Sequence, residues 1–107
     1  MPFIDVKASC PISQEQEIRL KTGLGKAVAL IPGKDESRLM LRFAGGCSMW
    51  YAGSQEGPIV MAEAAIYGHA TQEASSAFGQ EAVRLLQEVL GAEHVYFKME
   101  QTTDWAF

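Results

Sequence analysis

Residues 2–8 read PFIDVKA and residues 58–67 read PIVMAEAAIY. Both runs are apolar, and each begins at a proline, which a strand accepts as its first residue. We therefore expect strands at Pro2–Ala8 and Pro58–Tyr67. After the first, the strand stops at Cys10-Pro11, and Ser13 with Gln16 three residues on forms a capping-box signature. Ile18, Leu20, Leu24, Ala27, Val28 and Ile31 then recur at roughly helical spacing, and Pro32-Gly33 ends the helix. Arg38–Ala44, RLMLRFA, alternates Leu39, Leu41 and Phe43 against Arg38, Met40 and Arg42, the pattern of a strand with one buried face.

The order repeats after Pro58–Tyr67. A helix is predicted over Thr71–Leu90, with Ala74, Phe78, Ala82, Leu85, Leu86 and Val89 as its apolar stripe and Gly91 as its stop. Val95–Met99 is the last predicted strand. Two strand-helix-strand units with right-handed crossovers give an α+β sandwich: one four-stranded mixed sheet with both helices on one face. The other face is left bare. We expect Ile4, Val6, Met40, Met61 and Phe97 on it, too apolar in aggregate to stay uncovered on so small a chain, and so an oligomer.

A chain of 107 residues, 48% of them apolar, suits a single domain spanning residues 1–107. No apolar run approaches the roughly 20 residues of a membrane span, and MPFIDVKAS lacks the basic start and apolar stretch of a signal peptide. The expectation is a soluble, cytoplasmic protein, or one exported without a signal peptide, with no membrane partner. The net charge of -4 arises from thirteen acidic and nine basic residues mixed along the chain, which leaves no basic patch for nucleic acid. Cys10 and Cys47 read as reduced thiols rather than a disulfide framework. His69 and His94, with no partner at ligand spacing, give no metal site.

Met1-Pro2 has two readings. Pro2 is an ordinary second residue leading into a strand, or, once Met1 is trimmed, it starts the chain as a secondary amine. An α-amine titrates near about pH 8. Burial or a nearby cation lowers that value, which makes the amine a base able to take a proton from carbon. Lys34 either complements the end of the first helix or supplies a cation that holds an anionic substrate and depresses the amine. Tyr96 and Lys98, two apart on the last strand, project to one face, as pocket lining or as a half-exposed strand surface. Trp105 and Phe107, near the end of the sequence, either seal a core or interface or form an aromatic pocket wall.

Taken together, these features resemble the macrophage migration inhibitory factor family of the tautomerase superfamily, over nearly the whole length. The carriers are Met1-Pro2 opening directly into a strand, Gly33-Lys34 after the first helix, Met49 to Pro58 (MWYAGSQEGP), Ile66-Tyr67-Gly68, Val95-Tyr96 and the aromatic Trp105-Ala106-Phe107. The resemblance implies a homotrimer with an active site at each subunit boundary. It implies Pro2 as base and then acid, Lys34 on the anionic substrate, the Tyr67 N–H on its carboxylate, and Tyr96 from the neighbouring subunit. The implied reaction is keto-enol tautomerisation of an aryl 2-oxo acid such as phenylpyruvate, without cofactor or metal.

The sequence also departs from the family pattern. Lys98 replaces an asparagine two residues beyond the pocket tyrosine, and Arg38 stands about where the family has another pocket tyrosine, so the substrate-binding set gains two cations. Ile59 and Ala62 occupy the places of a cysteine pair that some relatives carry, which removes the basis for a thiol-disulfide activity. The Trp105–Phe107 segment falls short of the family's length. Two alternatives to the tautomerase stand beside it: a cytokine-like protein that engages a receptor and keeps a vestigial site, and a hydratase or decarboxylase of small oxo acids, favoured by Arg38 and Lys98.

Overall fold

The computed structural model describes Met1–Phe107 and contains, in order, β1 (Pro2–Ala8), α1 (Gln14–Ala27), β2 (Met40–Ala44), β3 (Ile59–Tyr67), α2 (Gln72–Leu90) and β4 (His94–Thr102). The sheet order is β2-β1-β3-β4. β1 runs parallel to β2 and β3 parallel to β4, and the two units join through the antiparallel β1–β3 pair at the centre. The predicted α+β architecture, two strand-helix-strand units in one mixed sheet, is what the chain adopts. No helix is long and apolar enough to cross a membrane.

Local chemistry sets the helix starts. Ser13 Oγ accepts from the Gln16 N–H at 3.1 Å while Gln16 Oε1 accepts from the Ser13 N–H at 2.9 Å, closing the capping box. Gln16 Nε2 also donates to the Val89 carbonyl at 3.3 Å, tying the start of α1 to the last turn of α2. Thr71 Oγ1 caps α2 by accepting from the Ala74 N–H at 3.1 Å, and Gly91 stops it in the left-handed region at φ 63°. Where the helices cross they approach closely. A Cβ on Gly23 would lie 2.7 Å from Leu85 Cδ2, so a side chain there would push the end of Leu85 aside. Ile4, Val6 and Ala8 of β1 and Val60, Ala62, Ala64 and Ile66 of β3 form the floor of the core, under Leu20, Leu24, Phe78, Ala82 and Leu86 of the helices.

Four expectations are corrected. α1 ends at Ala27 and tightens into a 3₁₀ turn at Val28–Leu30, though Ile31 beyond it is still buried. Ile18, counted in the apolar stripe, is 54% exposed. Arg38 is not in a strand but in a second 3₁₀ turn, Glu36–Arg38, which Asp35 caps by accepting from the Ser37 N–H at 2.9 Å.

The fourth correction concerns the bare face. Ile4, Val6 and Phe97 point to the helices; only Met40 and Met61 of the five residues lie on the other face. Side chains alternate along a strand, and the register aligns Arg42, Asp5, Glu63 and Lys98 across all four strands on that open face. Arg42 Nε and Lys7 Nζ each donate to Asp5 at 3.0 Å, and Lys98 Nζ lies 3.5 Å from Glu63 and 3.3 Å from Glu100. Burial pushes the Asp5 pKa up, but Arg42 and Lys7 together outweigh it and hold the carboxyl below its ordinary range. The open face is therefore a charged belt, not an apolar sheet awaiting cover.

Candidate active site

Pro2 begins β1 opposite Ile66 of β3 and is buried, so the first turn of chain before it is pinned to the end of β3. The Tyr67 N–H donates to the Met1 carbonyl at 3.2 Å. Gly33, at φ 82°, turns the chain back after α1 and delivers Lys34 to the same place. Lys34 Nζ donates to the Tyr67 carbonyl at 2.7 Å and lies 6.0 Å from the centre of the Tyr67 ring. Tyr67 thus meets Met1 through its N–H and Lys34 through its carbonyl.

Two hollows meet at this point. A polar one of about 110 Å³ is lined by Met1, Pro2, Gly33, Lys34, Asp35, Ser37 and Arg38. A larger one of about 440 Å³ has an apolar wall of Phe3, Met40, Trp105 and Phe107, and Met1, Pro2 and Arg38 border it as well. Phe107 packs edge-on against the Tyr67 ring, with centroids 5.7 Å apart. The amine at the chain start has its pKa lowered, first by burial, then by Lys34 and Arg38, with Asp35 pulling the other way. An apolar cleft, a pair of cations and an amine made less basic are a combination able to bind an organic anion and move a proton.

Of the residues singled out from the sequence, Pro2, Lys34, Tyr67, Arg38, Trp105 and Phe107 converge here. Tyr96 and Lys98 do not. Tyr96 is 62% exposed and opposite Met61, towards the other end of the sheet; Lys98 is engaged by Glu63 and Glu100. Beside Tyr96 lies Tyr51, whose ring stacks on His94 with centroids 4.0 Å apart and whose phenol raises the Tyr96 pKa. Sequence reasoning missed Asp35 and Ser37, whose Asp-x-Ser spacing is a local turn signal, and Phe3 and Met40, whose place on the wall depends on strand register. It also missed the Met1 carbonyl, which occupies the Tyr67 donor.

No family model matches the chain, and no curated protein matches it. Its fold has clear counterparts among solved structures. The structure of Leishmania major MIF2 superposes with a TM-score of 0.91 over 100% of this chain and 93% of that one, at 17% identity. The fold is the one seen in solved structures of macrophage migration inhibitory factors and their homologues. Pt0534, solved after inactivation by 2-oxo-3-pentynoate, shares this fold at a TM-score of 0.77 and 20% identity, covering 92% of this chain and 84% of that one. A fused 4-OT, solved as an asymmetric trimer, matches at 0.79 and 18% identity over 98% and 91%. At such identities the likeness speaks for the fold, and the chemistry rests on the residues at the two hollows.

Proposed function

We propose that this chain is a keto-enol tautomerase of aryl 2-oxo acids of the phenylpyruvate type, acting through the secondary amine that Pro2 presents once Met1 is removed. One observation carries the reading. Met1 blocks two groups at once: its peptide bond turns the Pro2 nitrogen into an amide, and its carbonyl occupies the Tyr67 N–H. Removing it uncovers a base and a hydrogen-bond donor side by side, next to Lys34 and Arg38 and in front of an apolar hollow wide enough for an aromatic ring. The inactivation of Pt0534 by a 2-oxo acid supports a pocket of this class in the same fold.

The chemistry follows from the arrangement. The neutral Pro2 amine takes a proton from C3 of the keto acid, and the C–H electrons form the C2–C3 double bond as charge moves to the C2 oxygen. Lys34, Arg38 and the freed Tyr67 N–H stabilise that oxygen and the carboxylate, and the Pro2 ammonium returns its proton to the oxygen. The reverse sequence converts enol to keto acid. No step calls for a cofactor.

Assembly as a homotrimer belongs to the same proposal. Exposed apolar groups sit at both ends of the sheet: Met40 and Phe107 at the Pro2 end, Trp50 and Tyr96 at the other. A head-to-tail ring buries both patches and carries Tyr96 and Lys98 to the pocket of the next subunit. The trimer of the fused 4-OT is a precedent in this fold.

The test compares three proteins of verified intact mass: the processed chain, the chain with Met1 retained, and processed Pro2→Gly. Conversion of enol to keto phenylpyruvate, followed in the ultraviolet, is expected to fall about 10²- to 10⁴-fold when Met1 is retained. The Pro2→Gly form, which keeps a primary amine, is expected in between. Equal rates in all three would remove Pro2 from the mechanism. Receptor binding that survives Pro2→Gly, with no turnover in any form, would favour the cytokine-like alternative.

A further inference from the structure

We infer that Arg38, rather than Lys34, seats the substrate carboxylate, and that Lys34 faces the 2-oxo oxygen. This rests on reading the two hollows as a 2-oxo acid site, and it departs from the family pattern, in which the lysine takes the anion. Three observations lead to it.

Lys34 is already committed. Its ammonium donates to the Tyr67 carbonyl at 2.7 Å, which fixes it at the end of β3 beside the Tyr67 N–H and close to the amine. From there its remaining protons can reach the oxygen on the carbon next to the one deprotonated, without giving up the Tyr67 contact. Arg38 has no such commitment. It makes no hydrogen bond to the protein and has no carboxylate within ion-pair distance, unlike Arg42 and Arg84, whose guanidiniums are paired with Asp5 and with Glu81 and Glu88. Its two nearest acidic neighbours in sequence are engaged elsewhere: Glu36 lies 3.8 Å from the Lys21 ammonium, and Asp35 accepts from the Ser37 N–H and hydroxyl. An unpaired guanidinium offers a planar fork of donors that matches a carboxylate two-to-two, which an ammonium does not.

The position of Arg38 supplies the third observation. It alone of the two cations borders both hollows. With the ring of an aryl 2-oxo acid against Trp105 and Phe107 and C3 at the Pro2 nitrogen, the carboxylate falls where the polar and apolar hollows join. Lys34 and Arg38 against Asp35 leave one positive charge in excess there, which suits a single carboxylate on an otherwise uncharged molecule.

The experiment removes the carboxylate's charge from the ligand instead of only from the protein. Turnover of phenylpyruvate and of its methyl ester is measured for the processed wild type, Arg38→Gln, Arg38→Lys and Lys34→Gln, with melting temperature as the folding control. Losing Arg38 also alters the basicity of the amine, but equally for acid and ester, so the ratio of their kcat/KM values isolates the clamp. That acid-over-ester preference is expected to fall about 10- to 100-fold in Arg38→Gln, the range of a hydrogen bond to a charged group. Arg38→Lys, which keeps the charge and loses the fork, is expected to recover only part of it. Lys34→Gln is expected to lower kcat for both ligands together. An acid-selective loss in Lys34→Gln, an unchanged preference in Arg38→Gln, or full recovery in Arg38→Lys would each overturn the assignment.

Calorimetric titration with cinnamate and cinnamamide gives the same comparison without turnover. If cinnamate binding depends on Arg38 while neither substrate is converted, the tautomerase reading fails and the clamp stands. If wild-type protein converts phenylpyruvate yet binds cinnamate and cinnamamide equally, the clamp fails and the tautomerase reading stands.

Discussion

The two strand-helix-strand units differ most where the helix returns to the sheet. In the second unit, Gly91, Ala92 and Glu93 carry the chain from α2 to β4, with one left-handed glycine as the only device. In the first, the return from α1 to β2 runs from Val28 to Leu39 and contains two 3₁₀ turns, the Gly33 turn and the Asp35 cap. Lys34 and Arg38 both lie on that longer return, and it passes in front of Pro2. At the matching end of the second unit the Pro58 carbonyl accepts from the Glu93 and His94 N–H groups, and the short return carries no Lys or Arg. The shared parts of the units build the scaffold, and the part they do not share supplies the two cations of the candidate site. Substitutions should divide accordingly, with core and cap changes costing stability and changes on the long return costing chemistry.

The largest effect on stability belongs to the scaffold. Phe78 of α2 is fully buried, and its ring meets Phe97 of β4 edge-on at 5.4 Å. Phe78→Ala should cost about 3–5 kcal/mol, the range for truncating a buried aromatic. Because both units share one core, urea denaturation should still show one transition. Two transitions would mean that the units are separate. A smaller loss is expected at the capping box of α1. Ser13→Ala removes the acceptor for the Gln16 N–H and leaves Gln16 with half of its pair, at about 1 kcal/mol in the same assay. Loss of the proposed activity in excess of the loss of folded protein would contradict the division between scaffold and site.

The scaffold was legible because its signals are local. The Ser13–Gln16 box, the Thr71 start, the Gly91 stop and the stripe of Phe78, Ala82, Leu85 and Leu86 each depend on residues within a few turns of one another. Misreadings arose where a short pattern competed with a second one. RLMLRFA alternates from Arg38 onwards, yet the Asp-x-Ser cap one turn earlier holds Arg38 in a 3₁₀ turn and delays the strand to Met40. The sheet faces were open to a better reading, because Asp5 and Lys7 alternate with Ile4 and Val6 and so mark the polar side of β1. The site was the least legible part. Pro2, Lys34 and Arg38 meet through long-range strand pairing that no spacing encodes, so their grouping came only through the family resemblance. Tyr96 and Lys98 share a face, as their spacing requires, but within this chain they meet Tyr51, Glu63 and Glu100 rather than Pro2, and only the proposed assembly would bring them to a pocket.

Lys34→Gln sharpens the comparison most finely, because it should barely move stability. The Lys34 ammonium makes one hydrogen bond and no ion pair, so the expected change is within about 0.5 kcal/mol. Its effect should appear in the pH profile. Burial lowers the pKa of the Met1 amine most, then Lys34, then Arg38, and on the proposed mechanism the Pro2 amine would meet the same two cations, which line one hollow with Pro2. Only the neutral amine is a base, so activity is lost as pH falls through that lowered pKa. Deleting a cation makes the ammonium easier to form, which returns the pKa towards the ordinary value of about 8. The acid limb of kcat/KM should therefore move to higher pH in Lys34→Gln, and by less in Arg38→Gln. A limb that stays in place, or moves to lower pH, would show that the long return of the first unit does not tune the amine, and the contrast between the two units would then be one of shape alone.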